Sequence, residues 1–129
     1  RKLLADGLPV HQDMLSCLES LPDADWAQIN KFIASLSGAA NRDKLNFCAE
    51  MIVRTLQRII IHSADGYMPA ALIREQHLMQ KWGVSEKLDR FSQGCSLIEA
   101  SLNEREEYNL DPALSLNQVF QTLSELTKS

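Results

Sequence analysis

Glycine, proline and cysteine are scarce in this 129-residue chain, at five, four and three residues. The glycines, Gly7, Gly38, Gly66, Gly83 and Gly94, stand far apart. A phosphate-cradling loop needs them clustered ahead of a helix, so they read as helix stops. Cys17, Cys48 and Cys95 are widely separated and fall in apolar phase. They read as small buried hydrophobes in a reducing compartment, not as ligands or disulfide partners. Basic excess is missing too: 13 Lys and Arg stand against 17 Asp and Glu, a net charge of -4. That removes any global attraction to nucleic acid or anionic lipid. His11, His62 and His77 have none of the partners at i+3 or i+4 that a metal site on a helix requires, beyond isolated acids. Ser, Cys and His occur without a base and an orienting group beside them. The expectation is a segment with no catalytic residue, no cofactor and no metal. Signal, transit and lipidation motifs, sustained strand alternation, repeats and low-complexity tracts are absent as well.

What the chain does contain is helical periodicity. From Asn41 to about Ala64 it reads as one long helix that is apolar around most of its circumference. At about 100° per residue, Leu45, Cys48, Met51, Ile52, Thr55, Leu56, Ile59 and Ile60 share one broad arc, with Val53 at its margin. Glu50, Arg54, Gln57 and Arg58 form a narrow strip opposite. So wide an apolar arc belongs to the central post of a bundle. Its charges keep it from being a membrane span. The predicted fold is all-α, a single compact bundle of five or six helices around residues 41–64.

The other helices follow from periodicity and stop signals. The first is predicted from about Leu8 to Ser20, with Pro9 in its first turn and Leu8, Met14, Leu15, Leu18 and Leu21 inward. Asp23 or Asp25 caps a second, bearing Trp26, Ile29, Phe32, Ile33 and Leu36, and Gly38 ends it. Asn41 caps the central helix, and Asp65 to Pro69 is the richest turn signal. A fourth helix runs from about Ala70 to Trp82 and stops at Gly83. Ser85 caps a fifth with a narrow stripe of Leu88, Phe91, Cys95, Ile98 and Leu102. Gly94 within it costs on the order of 1 kcal/mol relative to Ala, which points to a close helix crossing or a bend. The charged run Asn103 to Glu107 closes it. Asp111-Pro112 opens a last helix with Leu116, Val119, Phe120, Leu123 and Leu126 inward.

One surface stands out. Arg54 and Arg58 lie a turn apart, with His62 a further turn on and Phe47 and Ile61 near the same line. Arg and aromatic residues in a partly apolar patch are what protein interfaces favour, so Phe47, Arg54, Arg58 and Ile61 are the candidate partner-binding residues. The competing reading pairs Glu50 with Arg54 along the helix and covers Phe47 and Ile61 with loops. Trp26 and Trp82, each in phase with other apolar residues, read as core. A free-standing ligand-binding or regulatory domain, with Trp82, Tyr67 and Met68 around a pocket, is the alternative. A DNA-reading helix after Gly83-Val84-Ser85 is disfavoured by Glu86, Asp89 and Glu99.

The order of elements resembles a family. Leu21-Pro22-Asp23-Ala24-Asp25-Trp26 entering a helix, the apolar helix from Leu45 to Ile61, and Leu97-Ile98-Glu99 through Asn109-Leu110-Asp111 before a final helix resemble the C-terminal domain of delta-prime subunits of bacterial DNA polymerase III clamp loaders. Pro112-Ala113 stands where that family carries basic residues, which removes any contact those would make and leaves the capping role of Asp111. The resemblance spans nearly the whole chain. It implies that residues 1–129 are one helical collar-type domain, the C-terminal fragment of a larger protein, in keeping with a start at Arg1. It also implies a non-catalytic role in DNA replication in the cytoplasm. Collar contacts would hold the clamp-loader pentamer together while ATP-driven modules elsewhere open the clamp. The implied partners are the other clamp-loader subunits, with no direct nucleic-acid contact and no membrane. Phe47, Ile61, Leu97 and Leu114 standing off their core faces would suit such packing.

Overall fold

The computed structural model describes residues 2–36, 42–66, 73–108 and 112–128. Six α-helices run through them: α1 (Lys2–Glu19), α2 (Trp26–Ser35), α3 (Arg42–Asp65), α4 (Ile73–Trp82), α5 (Leu88–Tyr108) and α6 (Pro112–Thr127). A short 3-10 turn, Val84–Lys87, joins α4 to α5, and no strand occurs among the described residues. The protein is an all-α bundle, and α3, at 24 residues, is its longest helix and packs against α1, α4, α5 and α6. The arc read from the sequence is the side that packs: Leu45, Cys48, Ile52, Thr55, Leu56 and Ile59 are buried. Met51 and Ile60 are half-buried.

α2 begins where Asp25 accepts a hydrogen bond from the Gln28 backbone N–H at 3.1 Å, which settles the choice between Asp23 and Asp25. Trp26, expected in the core, is 37% exposed. It is the first residue of α2 and lies at the margin of the stripe formed by Ile29, Phe32 and Ile33. Two further expectations are corrected. α1 starts at Lys2, not Leu8, because Lys2-Leu3-Leu4-Ala5 are good helix formers that outweigh the N–H missing at Pro9. Ser85 is not a helix cap: Gly83, at φ 60°, ends α4 and leads into the 3-10 turn. That tight turn carries Val84 into the core, fully buried, before α5 begins. Gly38, Asn41, Tyr67, Met68, Pro69, Asn109, Leu110 and Asp111 lie outside the described residues.

α5 and α6 form an antiparallel hairpin whose close crossing depends on Gly94. A Cβ placed there would sit 2.2 Å from Leu126 Cδ1, so the Leu126 side chain of α6 would have to shift to admit one. α6 also packs on α2, with Ser124 Oγ donating to the Pro22 carbonyl at 3.2 Å. The three thiols are free and buried, and burial pushes each of them up to about 12. They are core side chains, as their spacing suggested.

Candidate interaction surface

α3 places the four candidate partner-binding residues on one line. At about 100° per residue, Phe47, Arg54, Arg58 and Ile61 fall within about 60° of each other along about 21 Å of helix. Their environments differ. Ile61 is 56% exposed. Arg54 is exposed and paired with Glu50 one turn back, at 2.5 Å. Phe47 is half-buried and packs against the core. Arg58 is turned to the shoulder of the strip and engaged with α4.

The Arg58 engagement was not legible from α3 alone. Its Nε donates to Glu75 Oε1 and its Nη2 to Glu75 Oε2, both at 2.9 Å. Nη2 also lies 3.3 Å from Thr55 Oγ1. The Glu75 side chain is 3% exposed and that of Arg58 32%, so this is a forked ion pair lying partly inside the bundle. The pairing holds the Arg58 guanidinium above its ordinary range. Arg58 is therefore committed to holding α3 against α4. Arg54 carries the exposed charge of the strip. The missed signal was Glu75 itself: it shares a helical phase with Leu78 and Trp82, both buried, and an acid on an apolar stripe requires a buried partner.

A second fork lies beside the first. Arg74 Nε and Nη2 donate to Glu19 Oε2 and Oε1 at 3.0 and 2.8 Å, tying α4 to the end of α1. The hydrogen bonds from Arg74 hold the Glu19 carboxyl below its usual range. Lys81 Nζ donates to the Glu19 carbonyl. His11 on α1 faces the same seam. Burial pushes its imidazole down, the Glu75 carboxylate opposes this, and the Arg58 and Arg74 charges add to it. With Arg58, Arg74 and Glu19 all committed to internal partners, the seam locks α1, α3 and α4 and presents little to a ligand.

On its other flank the strip meets α5, where Gln57 Nε2 donates to Glu99 Oε2 at 3.1 Å. An open groove of about 360 Å³ lies there, lined by Asn46, Glu50, Val53 and Glu99 among others. Trp82, considered above as a pocket wall, is 2% exposed and stacks in the core with its ring centroid 6.0 Å from that of Phe91. Tyr67 and Met68, its companions in that alternative, lie outside the described residues. Leu97 and Leu114 are 70% and 58% exposed. Among the described residues, no group of three or more His, Cys, Asp or Glu is placed to hold a metal ion, and no helix is long and apolar enough to cross a membrane.

No protein-family profile, curated protein or solved structure matches the chain.

Proposed function

We propose that the chain is a non-catalytic collar-type domain of a bacterial clamp loader, of the delta-prime kind, that holds neighbouring subunits together during DNA replication in the cytoplasm. The observation that supports this reading is the outward strip of α3, the central helix: Ile61 is 56% exposed in line with the exposed Arg54. A buried face would have served α3 better had its only task been the core. An aliphatic side chain beside an arginine is the composition that protein interfaces favour. In this reading the mechanism is positional. α1, α3 and α4 are locked by two forked ion pairs, so a neighbour docked along α3 is held by a stiff body, and movement of the ATP-driven subunits is transmitted to the clamp. The domain itself performs no reaction and contacts neither nucleic acid nor membrane.

The test is assembly. The chain, mixed with the remaining purified subunits of a bacterial clamp loader, should co-elute with at least one of them on gel filtration. Separate elution from every subunit, under conditions where an intact delta-prime subunit assembles, would overturn the proposal.

A further inference from the structure

α5 carries a stripe that no described element covers. Arg90, Leu97 and Glu104 follow one another at seven-residue intervals, so they fall within about 40° of a single line over about 21 Å. Leu97, at 70%, is the most exposed large hydrophobic side chain described. Arg90 and Glu104 are exposed and enter none of the ion pairs among the described residues. Between them the outward positions Gln93, Ser96, Ala100 and Ser101 are uncharged. Glu99 is turned away toward Gln57 of α3. α6 continues this surface, since no charged residue occurs from Pro112 to Ser124, and Leu114, Gln118, Gln121 and Thr122 are exposed.

Leu97 is the midpoint between Arg90 and Glu104 in sequence and along the helix. A two-fold axis through Leu97, perpendicular to α5, lays a second α5 antiparallel on the first. Arg90 of each copy then meets Glu104 of the other, Leu97 meets Leu97, and Gln93 meets Ser101. A parallel arrangement would set Arg90 on Arg90 and Glu104 on Glu104. A chain of net charge -4 repels its own copies over most of its surface, but along this stripe the charge order is complementary to itself.

We propose that this α5/α6 face pairs with the same face of a second copy in an antiparallel two-fold dimer. The 16 residues of α6 give about 24 Å of length, and two adjacent helices about 20 Å of width, so each copy contributes roughly 480 Å². The total, about 1,000 Å², lies at the lower limit for a specific interface, which makes the dimer concentration-dependent. The inference does not rest on the collar reading, whose supporting observation lies on α3, and its test needs no other subunit.

Sedimentation equilibrium of the chain from about 10 µM to about 1 mM, at low salt, should show the mass rising from 14.5 kDa toward twice that value. Arg90→Glu and Glu104→Arg should each weaken the dimer at least about tenfold by opposing like charges. Arg90→Glu/Glu104→Arg should recover affinity to within about threefold, because the exchanged charges again meet their opposites. Leu97→Glu, which sets two carboxylates at the axis, should leave a monomer with its melting temperature within about 2 °C of the parent. A monomer throughout the concentration range, or a double variant no better than the single ones, would overturn the proposal.

Discussion

The pair between Arg58 and Glu75 makes a quantitative prediction. Arg58→Met keeps the length and apolar stem of the side chain but leaves Glu75, 3% exposed, without its forked partner. Removing one member of a buried pair typically costs about 3–5 kcal/mol. Arg58 is itself 32% exposed, so water reaches the site, and the loss expected at pH 7 is about 2–3.5 kcal/mol. Replacing both partners, Arg58→Met with Glu75→Leu, should return stability to within about 1 kcal/mol of the parent, as apolar substitution of buried pairs often does. Urea unfolding of the parent and the two variants at pH 7, with unchanged m, measures both effects. A loss under about 0.5 kcal/mol for Arg58→Met, or a double variant no more stable than the single one, would refute the buried pairing.

Gly94→Ala should destabilise by about 1–3 kcal/mol despite the helix propensity gained, since the new Cβ would meet Leu126. Adding Leu126→Ala should recover part of that in urea melts, and a stabilised single variant would contradict the close crossing. The imidazole of His11 is held below its ordinary 6.5, so the unfolded chain binds a proton that the folded chain refuses. Stability should therefore fall as pH drops through about 6.5, and His11→Gln should flatten that part of the profile. A parent and variant with identical slopes between about pH 5.5 and about pH 7.5 would count against it. Cys17, Cys48 and Cys95 should react with a disulfide reagent only on unfolding, all three together. Rapid modification of any one of them in the native protein would show that it is not the core residue described.

The periodicity of α3 was legible because thirteen of its residues had to agree with one angular pattern, and Leu45 to Ile60 did so over four turns. Helix ends were less legible. Val84 enters the core only through a 3-10 turn, and nothing in Gly83-Val84-Ser85 distinguishes that from a capped α-helix start. Trp26 was misread because phase alone ignores position: the first residue of a helix can satisfy the stripe and still stand at the edge of the bundle. The candidate surface was half legible. Ile61 and Arg54 could be placed outward from α3 alone, but the fate of Arg58 depended on Glu75, 17 residues further on, and on the packing of α4 against α3.

The claim that matters most is that α3 is a docking surface, and one pair of substitutions tests it directly. Arg54→Glu with Ile61→Glu alters two exposed side chains and leaves the Arg58–Glu75 fork untouched. Thermal melts should change by no more than surface substitutions usually cause, about 0.5 kcal/mol each. Association with neighbouring clamp-loader subunits, measured by gel filtration of the reconstituted mixture, should fall at least about tenfold. An unchanged fold with undiminished assembly would return the strip to solvent and contradict the proposed role.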